Sequence, residues 1–109
     1  MLNTFVLEGK LKEVSSIKET DRGTKFMKIL IECERNFRNN ENIIETDLIE
    51  VEVWRGVAEL CAESCNIHDL ISIQGRIQSN TFKSSEGKEY ITYKFIGEKV
   101  SYLTKKSDY

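Results

Sequence analysis

The chain has 109 residues, a formal net charge of −2, 39% hydrophobic and 31% charged residues, and no proline. That length supports a single hydrophobic core, and the balance of residue types excludes a disordered or fibrous chain. Apolar runs of only a few residues, and a start, MLNTFVLEGK, with neither basic leader nor apolar stretch, predict no membrane partner, no export signal and a cytoplasmic location.

The first periodic stretch is 4–11, where Phe5, Leu7, Gly9 and Leu11 alternate with Val6, Glu8 and Lys10. In 25–34, Met27, Ile29, Ile31 and Cys33 alternate with Phe26, Lys28, Leu30 and Glu32. Both patterns predict strands with one buried face. "FRNNENIIETD" then predicts a long loop or hairpin tip. "TDLIEVEVW" restores the period of two, with Ile49, Val51 and Val53 on one side and Leu48, Glu50, Glu52 and Trp54 on the other.

The period changes in "GVAELCAESC", where Val57, Leu60, Cys61 and Ser64 recur at helical spacing. "LISIQGRIQSNTF" predicts a fourth strand, Ser84 to Gly87 a turn, and "EYITYKFIGEKV" a fifth strand. An all-β fold follows: a five-stranded Greek-key barrel of the OB-fold type, with one short helix between strands 3 and 4. It occupies residues 1–104 as one domain, with 105–109 as a short C-terminal tail. Gly9 and Gly75 suit places where strands of a small barrel bend or approach closely. An immunoglobulin-like sandwich is the alternative, but it wants about seven strands and has no place for the helix.

Net acidity counts against a partner made of phosphates, for which a basic balance is the usual footprint. The charge is unevenly spread, however. Residues 67–109 are net positive, and Arg76, Lys83, Lys88 and Lys94 stand against only Glu86 and Glu89 within 76–94.

Catalytic and metal chemistry find little support. Cys33, Cys61 and Cys65 are an odd number of cysteines, which predicts reduced thiols. Cys61, Cys65 and His68 have C-x3-C-x2-H spacing, with Cys33 as a conceivable fourth zinc ligand, yet thiols one helical turn apart equally suit packing against a barrel end. Packing is the expectation, with no metal and no cofactor. The one histidine, His68, has only Asp69 beside it, and no phosphate loop or nucleophile elbow is present, so no enzyme activity is expected.

The order of features resembles the bacterial single-stranded DNA-binding protein family over residues 3 to about 103. The resemblance runs through "NTFVLEGKL", "RNFRN", "TDLIEVEVWRGVAELCAESC" and "DLISIQGRIQSNTFKSSEGKEYITYKF". It implies sequence-nonspecific binding of single-stranded DNA in replication, repair or recombination, a nucleoid-associated location, and a homotetramer or homodimer, with replication or repair proteins as further partners. The family's stacking aromatics fall on Phe37, Trp54 and Phe82; a fourth is replaced by Leu48, and an often basic strand position is Glu50. The family's flexible tail and acidic tip have no counterpart in "SYLTKKSDY", so a short form, a chain cut at the domain edge, or a relative such as primosomal replication protein B is expected.

Binding a single strand needs rings for bases to stack on and cations along the phosphates. Aromatic rings are more often core, but Trp54 has outward parity, while Phe37 and Phe82 sit among polar residues. Arg35 and Arg38 flank Phe37, Arg55 follows Trp54, Arg76 lies on the polar side of strand 4, and Lys83 and Lys88 flank the last turn. These nine residues form the predicted site. Tyr90 and Tyr93 have opposite parity across the return strand, so at most one faces inward. Glu32, Glu34, Glu50 and Glu52 share the outward parity of Trp54 and would repel phosphate. That motivates the alternative, a protein-interaction OB module. Stacking and charge do not distinguish the sugars, so RNA stays open beside DNA.

Overall fold

The computed structural model describes residues 1–104; the 105–109 tail expected from the sequence lies outside the described residues. Six strands and one helix follow in the order β1 (Phe5–Val14), β2 (Lys18–Glu19), β3 (Lys25–Arg38), β4 (Ile44–Trp54), α1 (Arg55–Ser64), β5 (Leu70–Lys83) and β6 (Glu89–Thr104). β1 pairs antiparallel with both β3 and β5, β3 with β4, and β5 with β6, while β4 and β6 run parallel. These pairings close a five-stranded barrel, and β2 is a two-residue addition to the free end of β3. The expected topology is present, with the helix between the third and fourth long strands.

The alternating apolar residues meet inside. Leu11, Met27, Ile29, Ile31, Val51, Val53, Ile71 and Ile73 are all buried, with Phe5 at the edge of the same cluster. One strand can pair with two neighbours only where it bends, and β1 changes partner near Gly9 and Lys10. A Cβ at Gly9 would run into the Glu32 carbonyl, and one at Gly75 into the Ile96 carbonyl. The backbones approach too closely there for any side chain.

α1 plugs one barrel end with Ala58 and Cys61, while Leu60, expected on its inner face, is exposed. The helix follows β4 without a loop because Arg55 adopts a left-handed backbone, φ +53°. Beyond α1, the Asp69 carboxylate accepts the Asn66 N–H at 3.0 Å, and the Asp69 carbonyl accepts the Leu11 N–H at 2.9 Å. Asp69 is buried and orders this turn, whereas His68 at φ +77° donates its backbone N–H to the Leu11 carbonyl.

Of the long loop or hairpin tip expected over 37–47, the structure has the hairpin tip, with strand on both sides of it. β3 runs to Arg38 and β4 begins at Ile44, with a bulge between Glu34 and Arg38 and a tight tip in which Asn39 Oδ1 accepts the Glu41 and Ile43 N–H groups. The β5–β6 hairpin likewise extends to Lys83 and Glu89, closed by Ser84 and Gly87. Both hairpins project past the barrel. The radius of gyration is 16.2 Å, against about 13 Å for a compact domain of this length.

Candidate nucleic-acid interface

Phe26 and Trp54 are register partners across β3 and β4, on the face turned away from Met27 and Val53. Their rings stack with centroids 4.7 Å apart and planes 22° from parallel. Offset stacking of this kind fixes both rings. Trp54 is half-buried, with its remaining surface on a cleft of about 560 Å³. Arg55, Arg76, Gln78, Lys94 and Ile96 also line that cleft.

Strand pairing brings these residues together from distant parts of the chain. Glu52 is the parallel partner of Ile96, and Ile96 is the antiparallel partner of Arg76, so the outer faces of β4, β6 and β5 run on continuously. Arg76 donates to Glu98 at 3.1 Å and to the Gln78 amide oxygen at 3.4 Å. Lys94 lies 3.7 Å from Glu52, whose side chain is only 8% exposed. The exposed Arg76–Glu98 pair is worth about 0–1 kcal/mol, so a phosphate competes for Arg76 at low cost, whereas the buried Glu52 holds Lys94 more firmly.

The acidic residues of this face do not form an unopposed negative strip. Lys28 meets Glu50 at 3.7 Å and Lys12 meets Glu32 at 3.4 Å. The repulsion expected from the sequence is therefore tempered by cations that parity alone did not place opposite the carboxylates.

On the β5–β6 arm, Phe82 faces its register partner Tyr90 at 5.9 Å and is 51% exposed. Phe82 and Tyr90 share the arm face that leads back through Gln78 and Lys94 to Arg76, while Lys83 and Lys88 flank the turn. On the β3–β4 arm, Phe37 is 68% exposed. Arg38 donates to the Asn42 carbonyl at 3.1 Å.

Arg35 is held differently. Its guanidinium grips Asp47 through two hydrogen bonds of 3.0 and 3.1 Å and also pairs with Glu45. The bond from Arg35 holds the Asp47 carboxyl below its ordinary range, and the same bond raises the guanidinium. Asp47 pairs in register with Cys33, so this cluster lies on the strand face opposite Phe26 and Trp54. The Cys33 thiol is pushed up, first by burial and then by the Asp47 charge.

Of the nine predicted residues, Trp54, Arg55 and Arg76 share one cleft, and Phe82, Lys83 and Lys88 follow the arm leading from it. Phe37, Arg35 and Arg38 occupy the other arm. Phe26 and Lys94 are new to the set. Phe26 shares the parity of Trp54, but only the strand register shows that the two rings touch. A hydrogen bond with Cys65 and, after it, burial raise the Cys61 thiol, and among the described residues no cluster of His, Cys, Asp or Glu is gathered for a metal. No helix among the described residues is long and apolar enough to cross a membrane.

Residues 2–103 match the Single-strand binding protein family. Single-stranded DNA-binding protein B of Bacillus subtilis is 26% identical over 106 residues, covering 97% of this chain and 94% of that one. Single-stranded DNA-binding protein 3 of Listeria innocua is 28% identical over 108 residues, covering 99% of this chain and 68% of its own. A protein of Halalkalibacterium halodurans, also called single-stranded DNA-binding protein, is 30% identical over 103 residues, and the chain spans 61% of its length. Among solved structures, the Plasmodium falciparum SSB complex with ssDNA superposes with a TM-score of 0.75 at 19% identity, covering 95% of this chain and 96% of that one. A match over nearly every residue, together with the barrel built from those residues, makes this chain a member of the single-strand binding protein family.

Proposed function

We propose that the chain binds single-stranded DNA without sequence preference, by stacking bases on Trp54 and Phe82 while Arg55, Arg76 and Lys94 contact phosphates. Phe37 and Arg38 extend the path on the second arm, as do Lys83 and Lys88 on the first. The cleft that gathers Trp54, Arg55, Arg76 and Lys94 carries this reading. Aromatic faces bind any base and cations any phosphate, so such a surface has no means of reading sequence. The relatives' names and the strand named in the Plasmodium complex support the same partner. A homo-oligomer, a cytoplasmic and nucleoid-associated location, and service to replication, repair or recombination belong to this reading. So do a single domain over 1–104 and the absence of catalysis.

Trp54 is the sole tryptophan, so its emission reports on the site directly. Oligo-dT is expected to quench it, and duplex of equal length to quench it far less. Trp54→Ala is expected to weaken binding by about 1–3 kcal/mol, measured by anisotropy of a labelled oligonucleotide. Unchanged emission at low salt, or a preference for duplex, would overturn the reading.

A further inference from the structure

Trp54 is the last residue of β4, and its two flanks differ. On one side it has a register partner, Phe26 of β3. On the other, the ladder to β6 ends one residue earlier, at Val53 and Gly97. The ring therefore has a cross-strand neighbour on the β3 flank and the open cleft on the β6 flank, where Arg76, Ile96, Gly97 and Glu98 line it.

The stack sets which way the indole faces. Neighbouring strands lie about 4.7–4.9 Å apart. The Phe26 and Trp54 centroids are 4.7 Å apart, with planes 22° from parallel. Two rings face to face at the strand spacing stand up from the sheet with their faces turned across the strands. Phe26 thus covers the β3-side face of Trp54 and leaves the other face toward β6.

Phe26 is not a core residue. Met27 beside it is 1% exposed and packs in the barrel, whereas Phe26 is half-buried on the outer face. Behind it lies β2, whose two pairs set Lys18 against Phe26 and Glu19 against Lys25. The turn from β2 to β3 is closed by the Thr20 N–H on the Thr24 carbonyl at 2.9 Å and the Gly23 N–H on the Thr20 carbonyl at 2.8 Å, with Gly23 at φ +80°. This short hairpin steadies the stretch of β3 that carries Phe26.

We infer that Phe26 is a positioning residue for Trp54: it holds the indole upright and closes one of its faces, so that a single base stacks on the ring, from the β6 side and beside the Arg76–Glu98 pair. This rests on the proposed stacking of bases on Trp54 and gives that stacking a direction. A ring free to turn loses rotamer entropy when a base orders it, and a ring already fixed by a stacked neighbour does not. The base then arrives next to Arg76, whose exposed bond to Glu98 a phosphate can replace.

Wild type, Phe26→Leu, Phe26→Ala and Phe26→Tyr, each alone and combined with Trp54→Ala, are titrated with labelled oligo-dT. Time-resolved anisotropy of Trp54 in the free proteins reads the motion of the ring. The leucine and alanine variants are expected to bind about 2- to 10-fold more weakly and to let the indole rotate faster, while tyrosine restores both. With Trp54→Ala already present, the same changes at Phe26 are expected to alter affinity by less than about twofold. In the NMR spectrum of the complex, thymine methyl protons are expected to contact Trp54 and the Glu98 side chain but not the Phe26 ring. Leucine and alanine variants that bind as tightly as wild type would overturn the positioning role. So would a loss that persists without Trp54, since Phe26 would then be acting on the strand or on the fold directly. Thymine contacts to Phe26 would overturn the single open face. If Trp54→Ala alone binds oligo-dT as well as wild type, the proposed stacking falls and the role of Phe26 with it.

Discussion

At the residue scale, Arg55 carries two demands at one backbone position. Its left-handed φ lets α1 follow β4 without a loop, and its side chain lines the Trp54 cleft. A residue with a Cβ pays on the order of 1–2 kcal/mol for that conformation, and glycine does not. Arg55→Gly is therefore expected to be about 1 kcal/mol more stable than Arg55→Ala in urea denaturation, with both variants equally weakened toward oligo-dT. Glycine and alanine variants of equal stability would show that the corner stores no strain. Single residues were also where the sequence was least informative. Parity placed Trp54 outward, but parity gives a face and not a neighbour, so the stack on Phe26 and the cover that buries Glu52 became visible only with the register between strands.

At the scale of elements, the strands inside the barrel were legible because one face of each is dry. Alternation of Met27, Ile29 and Ile31, or of Val51 and Val53, is the direct imprint of that geometry. The arms have water on both faces, so their residues are free of the period, and β3 and β4 continued through a stretch that reads as loop or hairpin tip. Polar pairing takes over there, with Arg35 clamped between Glu45 and Asp47. Because the Asp47 carboxyl is held below its ordinary range, its contribution to the arm is full at neutral pH and is lost as pH falls through that depressed value. The carboxyl ¹³C resonance of Asp47 is expected to titrate at lower pH than that of an isolated aspartate and to return to the ordinary range in Arg35→Ala. A carboxyl that titrates identically in both proteins would refute the clamp.

At the scale of the whole molecule, the formal charge of −2 argues for a modest electrostatic share in binding. Arg55, Arg76, Lys94, Lys83 and Lys88 line the cleft and its arm, and each phosphate neutralised on a single strand contributes about −0.7 to the salt slope. Three to five contacts predict a slope of about −2 to −3.5 for log K against log salt, measured with oligo-dT between low and moderate salt. A flat dependence would leave stacking alone to hold the strand. The fold itself depends on a brief seam. Only three paired positions, Val51–Val53 against Phe95–Gly97, join β4 to β6, and they lie about forty residues apart in the chain. β1 and β5 lie farther apart still in the chain, so by the same entropy of bringing remote segments together both seams are expected to form after the hairpins. Until that zip closes, β4 and β6 each offer a bare row of amides and carbonyls to any passing strand, so safe maturation of the ring hinges on speed at three short rungs.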